Sequence, residues 1–488
     1  MQNPASRSWS VGAVRSLDGA SASQACLLPA EHLVTHAIIT GMTGSGKTGL
    51  LMVMIEEALK SGVPVLVVDV KGDLANVGLA CEGLGAETII PWVDRSQPQL
   101  ARVDPLAFAQ QVAEQRTRGL ERWGLSQSDV VSFGRCYKSR ILTPGATIAE
   151  SVNLLAALQA APERWRDELD SARASLTAAI SLILRLLDRD ADPMRSREHV
   201  LLSVLAERRL SQGLSADLAS LIRELDEPSI ETVGAMEVDE FLSKAKRRDL
   251  ASALNAMLAS PSFAAWRTGS AIQPREWFAP NQEATPLTIV SVAHLDDDAR
   301  ARVLGLLFEE VLSWMRTQSG TSALRALVVM DEVYGWVPPH PKDPPTKKPL
   351  VSLLKQGRAF GVGVVLATQN PMDLDYRALS NAGVWCIGRL QTDANRERVI
   401  EGLSQSDAND PQSTRNLEHC VKALSKQWFV MRDVHAGSGV TLLQPRHTLS
   451  WMKGPLTAAE LKRRAGMRLG MRGDINTDEL VRAVFGAK

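Results

Sequence analysis

The eight residues Gly41-Met42-Thr43-Gly44-Ser45-Gly46-Lys47-Thr48 constrain this chain more than any other stretch, because their glycines specify a tight backbone turn. They fit G-x-x-x-x-G-K-[ST], a loop whose successive N–H groups point inward and cradle phosphates. A helix following such a loop adds the positive end of its dipole. Lys47 is placed to reach the outer phosphates of a nucleoside triphosphate. The Thr48 hydroxyl is placed to hold Mg²⁺, a hard ion that keeps most of its waters and takes few protein oxygens. The flanks agree: Ala37-Ile38-Ile39 has the apolar character of a buried strand, and Gly49 to Lys60 reads as a helix, apolar nearly all round at its start. Nucleotide binding is therefore expected from Gly41 through Gly49.

Other segments extend the same core. Val63 to Val70 is rich in β-branched residues, as in a parallel sheet covered on both faces, and it ends in the polar cluster Asp69-Val70-Lys71-Gly72-Asp73. Ligands gather at the carboxyl ends of such strands, so this cluster belongs near the nucleotide or at an edge between subunits. Strands are expected again at Pro286 to Val292 and Arg325 to Met330, with a helix from about Asp298 to Gln318 between them. The second strand closes on Asp331-Glu332. Such a pair, in a chain that already carries a phosphate loop, is a second nucleotide signature: Asp331 would orient Mg²⁺ through water, and Glu332 would polarise the attacking water. A helix from Leu350 to Phe360 leads to a strand from Gly363 to Thr368, and Gln369 at its tip fits a γ-phosphate sensor. The strand Val384 to Leu390 carries Arg389. A charged helix (Asp393 to Gly402) follows, and a last strand is expected near Gln427 to Met431.

Length and composition bound the remainder. At 488 residues the chain is too long for one ordinary core, and its apolar (45%) and charged (23%) contents are those of a globular protein. The expected division is an N-terminal extension (1–35) with an edge strand near Ser8 to Val14, a first core part (36–90), an α-helical insertion (91–281), a second core part (282–450) and a basic helical tail (451–488) with Arg463, Arg464, Arg468 and Arg472. In the insertion, Trp165, Leu169, Ala172, Leu176, Ile180, Ile183 and Leu187 form one stripe on a long amphipathic helix. Arg197 to Leu210 and Phe241 to Leu258 are helical as well. Trp165, Trp266 and Trp277 read as packing anchors rather than base-stacking platforms. Val337 to Pro349 is proline-dense and basic, hence a stiff exposed loop, either an interface or pore-side element or a plain connector. With 55 Lys plus Arg against 55 Asp plus Glu, nothing steers the chain as a whole toward nucleic acid or acidic membranes, so any such partner needs a local basic surface. Cys26, Cys81, Cys136, Cys386 and Cys420 stand alone and read as reduced thiols. No run approaches the roughly 18 apolar residues of a membrane span, and the N-terminus lacks the order of a signal peptide. A cytoplasmic protein without a membrane partner is expected.

Taken in order, Gly41 to Thr48, Asp331-Glu332 and Thr368-Gln369-Asn370-Pro371 resemble the HerA-FtsK superfamily of P-loop ATPases, and the chain is most similar to its HerA-like bacterial ATP-binding proteins. The likeness is dense over Thr35 to Leu50, Val67 to Val77, Val328 to Pro339 and Leu353 to Leu403. It implies an α/β fold with a RecA-like (ASCE) core, a mostly parallel sheet and an inserted α-helical domain. It implies ATP and Mg²⁺ as cofactors, and a hexameric homo-oligomer in which a neighbour supplies an arginine to the γ-phosphate. Arg358, in Lys355-Gln356-Gly357-Arg358, matches the family's arginine after the acidic pair, and Arg389 is a second candidate; a guanidinium suits the task, and a salt-bridge role stays open for either. The implied cargo is double-stranded DNA, held through its phosphates without base reading. Two other readings stay open: a motor for protein or conjugal transfer, and an ATP-gated scaffold that regulates a partner nuclease in genome maintenance or phage defence. One departure concerns assembly. Archaeal members carry an N-terminal β-barrel that 35 residues cannot form, so a ring here rests on the core, the insertion or another protein.

Overall fold

A computed structural model describes residues 8–17, 23–94, 96–159, 161–281, 283–371, 374–404, 411–437 and 440–466. Its centre is one large sheet. Among the described residues eleven strands form it: β1 (Ser8–Ser16), β2 (Gln24–Pro29), β3 (Ala37–Thr40), β4 (Val65–Asp69), β5 (Tyr137–Leu142), β6 (Thr285–Ser291), β7 (Ala326–Met330), β8 (Val362–Thr368), β9 (Val384–Ile387), β10 (Phe429–Asp433) and β11 (Val440–Pro445). In space they run β2-β1-β11-β10-β9-β3-β8-β7-β4-β6-β5. From β9 to β5 all neighbours are parallel, while β10, β11, β1 and β2 add an antiparallel edge. Every residue of β3, β4, β7 and β8 is buried, which is why these strands read as unbroken apolar runs. Helix α1 (Lys47–Lys60) covers one face of the sheet. Helices α3 (Asp297–Arg316) and α4 (Lys347–Phe360) cover the other.

The helical part between β5 and β6 has a core of its own, built round α2 (Leu169–Leu186) and docked on α3 through Arg164 and Glu310 at 2.9 Å. Trp277 is buried, and Trp165 and Trp266 pack against these cores as anchors. The expected long helix through Trp165 is interrupted: Glu168 leaves helical geometry (φ −132°, ψ 46°), and Pro162–Asp167 forms a separate short piece. Tyr137–Leu142, in the stretch expected to be helical, is instead a strand paired with β6. As an outer strand it keeps Lys138 and Arg140 away from the core, and their polarity hides the strand pattern. The N-terminal residues supply two edge strands rather than one. The proline-dense segment is exposed from Pro339 to Asp343, but Thr346 and Lys347 are buried and the helix already begins at Lys347. Pro349 is tolerated there because a first helical turn needs no N–H partner. In the tail, Arg464 is buried rather than solvated and donates to the Val77 carbonyl (2.8 Å); Arg468 and Arg472 lie outside the described residues. All five cysteines are free, and burial raises the Cys26 thiol to about 12. Among the described residues no helix is long and apolar enough to cross a membrane.

Two buried polar contacts hold the central strand and helix in place. Glu56 and Glu57, both buried on α1, receive the Arg446 guanidinium at 2.8 and 2.9 Å, and Glu56 also accepts the N–H groups of Leu449 (3.0 Å) and Ser450 (2.8 Å). Arg446 further donates to Ser10 O (3.0 Å), so one side chain ties β1 and the segment after β11 to α1. At the start of β3, His36 accepts the Val364 N–H at Nδ1 (3.2 Å) and places Nε2 against Leu354 O (2.8 Å), bridging β8 and α4.

Removing Arg446 leaves two carboxylates buried without their partner, so Arg446→Ala should cost about 3–5 kcal/mol in urea unfolding. A loss below about 1 kcal/mol would show that the cluster does not hold α1. His36 supplies a pH dependence. Burial lowers its pKa to about 4 in the folded chain, against 6.5 for an unburied ring, so its contribution is present above pH 6.5 and is lost as pH falls toward 4. That contribution is about 3 kcal/mol, and His36→Asn should flatten the acid side of the stability profile by that amount.

Candidate active site

At the carboxyl end of β3 the chain turns through Gly41 to Gly46 into α1. Gly44 (φ 76°) and Gly46 (φ 103°) are left-handed, a conformation that side chains rarely adopt. The loop is braced from three sides: Gly41 N donates to Thr368 O (3.3 Å), Met42 N to Arg389 O (2.7 Å) and Gln427 N to Ser45 O (2.9 Å). It therefore rests on the tips of β8 and β9 and on the approach to β10. Lys47 opens α1 and is buried, its ammonium donating to the loop's own carbonyls at Gly41 and at Met42 (3.2 Å). Thr48 Oγ1 donates to Asp331 Oδ2 at 3.1 Å, which joins the loop to the tip of β7.

Glu332 follows with φ of 60°, an uncommon conformation for a residue with a side chain, and such strain clusters at functional sites. Its carboxylate accepts the Lys71 ammonium at 2.6 Å and the Gln369 amide N–H at 2.6 Å, while Gln369 Oε1 accepts the Thr43 hydroxyl at 3.1 Å. One chain of polar contacts thus runs from the loop through β8 and β7 to the turn after β4. That turn is set by Asp69, whose buried carboxylate accepts Gly72 N (2.7 Å) and Ala75 N (3.0 Å). Burial raises Asp69 to about 6 in spite of those donors. Burial also lowers the Lys47 pKa, opposed by the Asp331 and Glu332 carboxylates. It raises the Asp331 pKa, opposed chiefly by Lys71, then by Thr48 and Lys47. Each ion is held in low dielectric and depends on the others to stay charged.

The structure brings together Lys47, Thr48, Asp331, Glu332 and Gln369, with the exposed Arg389 beside the loop. It does not bring Arg358 there. Arg358 lies exposed near the end of α4, just before β8 begins, and so at the opposite end of the sheet from the phosphate loop. Lys71 comes into direct contact with Glu332, a pairing that the polar cluster after β4 hinted at without naming. The place of Gln427 at the loop was not legible: it arrives just ahead of β10, and its Cα would stand 3.2 Å from a side chain placed on Gly46. The donor set suits a triphosphate with Mg²⁺. Among the described residues the Ser45 and Thr40 hydroxyls are buried without partners, Lys47 is hydrogen-bonded only to loop carbonyls, and Thr48 with Asp331 offers the hard oxygens that magnesium takes.

The family described as helicase HerA-like C-terminal matches residues 16–114, the stretch that holds the phosphate loop, α1 and the Lys71 turn. No curated protein matches the chain. Among solved structures it is similar to VirB4 of Thermoanaerobacter pseudethanolicus, at 13% identity and a TM-score of 0.47, over 89% of this chain and 95% of that one. It is also similar to the unbound bacterial conjugative coupling protein TrwBdeltaN70, at 13% identity and a TM-score of 0.49, over 92% and 91% of the two chains. A third, the genome packaging NTPase B204 from Sulfolobus turreted icosahedral virus 2 in complex with AMPPCP, is 17% identical with a TM-score of 0.24, over 33% of this chain and 68% of that one. Over residues 16–114 the chain is thus similar to the helicase HerA-like C-terminal family, and beyond that stretch the acidic pair facing Thr48 and Gln369 at the tip of the strand between β3 and β7 complete a P-loop site on a mostly parallel sheet.

Proposed function

We propose that this protein hydrolyses ATP with Mg²⁺ and works as a homo-oligomeric ring, most simply a hexamer, on double-stranded DNA. The observation that carries the reading is the meeting of Lys47, Thr48, Asp331, Glu332 and Gln369 at the carboxyl ends of β3, β7 and β8, all five of them joined by hydrogen bonds to the acidic pair or to the phosphate loop. Loop N–H groups and Lys47 hold the β- and γ-phosphates. Thr48 and Asp331 are the side chains that would hold Mg²⁺, which supplies positive charge at the phosphates. Glu332 accepts a proton from the attacking water as a bond forms from water oxygen to the γ-phosphorus and the bond to the bridging oxygen breaks. To do so its carboxylate exchanges a present donor, Lys71 or Gln369, for that water. Gln369, joined to both Thr43 and Glu332, is placed to report whether the loop is filled.

The far position of Arg358 suits a residue that serves a neighbour, since it cannot reach its own loop. Arg389 sits beside its own loop and is the weaker candidate for that task. A net charge of zero means that DNA contact rests on a local basic surface and is sensitive to salt.

Steady-state hydrolysis should rise with long duplex DNA, the rise should fade along a salt series, and both Lys47→Ala and Glu332→Gln should lose about 10²-fold or more in rate. Hydrolysis that depends on both residues but ignores DNA at every salt would sink the DNA reading. It would favour the other two roles, a motor for protein or conjugal transfer or a scaffold regulating a nuclease. The trans arginine has its own test. Lys47→Ala and Arg358→Ala should each be inactive, and mixing them should restore part of the activity, because some interfaces then pair an intact loop with an intact arginine. No recovery on mixing removes Arg358 from that role.

A further inference from the structure

Outside the nucleotide site the described residues border an open pocket of about 570 Å³ between the exposed part of the proline-dense segment, the first turns of α4 and Arg377. Its charge is one-sided. Lys342, Lys347, Lys348, Lys355 and Arg377 line it, with Asp343 the lining carboxylate. Asp375 already serves Lys347 (3.1 Å) and Arg377 (2.9 Å). Lys348 stands 3.3 Å from Asp343 with 82% of its side chain exposed, and Lys342 and Lys355 pair with no carboxylate among the described residues. In a chain of zero net charge, five cations against Asp343 and the adjoining Asp375 leave a local positive excess among the described residues, carried chiefly by Lys342 and Lys355.

The walls of the pocket are continuations of the catalytic strands. β7 ends at Met330, leads into Asp331-Glu332 and runs on into the proline-dense wall; β8 ends at Thr368, leads into Gln369 and runs on to Asp375 and Arg377. The Asp375 N–H donates to Val337 O at 2.8 Å, which pins the two walls together.

We infer that this pocket is a phosphate-backbone site that seats the phosphodiesters of duplex DNA and passes their presence to Glu332 and Gln369. The inference rests on the DNA reading above and adds where the DNA is held. Lysines on flexible stems suit a run of phosphates, and beside them the neutral polar lining is His340 and Ser352 alone, with no Trp, Tyr, Phe, Asn or Gln among the described lining residues. Arg377, the lining residue best shaped for a base edge, is spent on both oxygens of Asp375 (3.0 and 2.9 Å). An acidic protein segment would need apolar contacts as well, and Val351 with Pro341 offers little. Contact here is therefore sequence-independent and strongly salt-dependent.

The test uses the full chain, with Lys342→Gln, Lys348→Gln and Lys355→Gln combined. Lys244→Gln with Lys246→Gln, two exposed lysines on a helix of the insertion, serves as a control. Fluorescence anisotropy with a labelled duplex, across a salt series, reads the slope of log affinity against log salt. Wild type and control should share one slope. The triple variant should be shallower by about one for each lysine that meets a phosphate, hence by about two to three. Its DNA-stimulated hydrolysis should fall, while DNA-independent hydrolysis and the thermal midpoint stay in place. A triple variant with the wild-type slope overturns the site and leaves the DNA reading standing. Wild-type protein that binds no duplex even at the lowest salt overturns both. A competition arm with inorganic tripolyphosphate, run with Lys47→Ala in both proteins so that the phosphate loop does not answer, separates the remaining source: if the triple variant loses tripolyphosphate binding but keeps its DNA slope, the pocket takes free polyphosphate and the backbone assignment is wrong.

Discussion

The buried pairing of Glu56 and Glu57 with Arg446 holds the frame on which everything else rests. A helix lying beneath a parallel sheet has no solvent face, and α1 is apolar along nearly all its length. Two ionised carboxylates in such a place are costly unless each is paired and hydrogen-bonded, and here Arg446 and two backbone N–H groups complete them. The same contacts recruit β1 and the segment after β11, residues from the two ends of the chain, against the helix that opens with Lys47. The antiparallel edge of the sheet is thus tied to the element that carries the phosphate loop.

From that frame the site follows as a set of mutually dependent charges. Lys47 and Asp331 are each pushed toward neutrality by burial and pulled back by the other, with Lys71 and Glu332 on the same circuit. Glu332 adds backbone strain to this arrangement and is held by donors from two different strands. A site of this kind responds to ligand as a unit, because a polyanion that draws Lys47 away from the loop carbonyls alters the field at both carboxylates. Asp69 serves the same end from below. It spends its two oxygens on the turn that aims Lys71, although burial raises its pKa.

The two strands that end at Glu332 and Gln369 continue into the walls of the lysine-rich pocket, so one pair of loops borders both the nucleotide and the basic surface. Prolines make the first of these loops stiff, and the Lys347–Asp375 and Val337–Asp375 contacts lock it to the second.

What the sequence determined by itself is whatever depends on local chemistry. The glycines of Gly41 to Gly46, the lysine and threonine after them, the buried apolar runs and the acidic pair after Met330 each carry their meaning within a few residues, because turn geometry and burial on both faces leave a short-range signature. Tertiary structure decided what depends on pairing across the chain. The outer strand Tyr137–Leu142 was hidden by its polar side chains, the break at Glu168 by an otherwise continuous apolar stripe, and the buried role of Arg464 by its place in a basic tail. Lys71 meets Glu332 across 261 residues of sequence, and Arg446 meets Glu56 across 390. Such contacts follow from strand order and the packing of helices on the sheet, and no local pattern records which distant residue will stand at the other end.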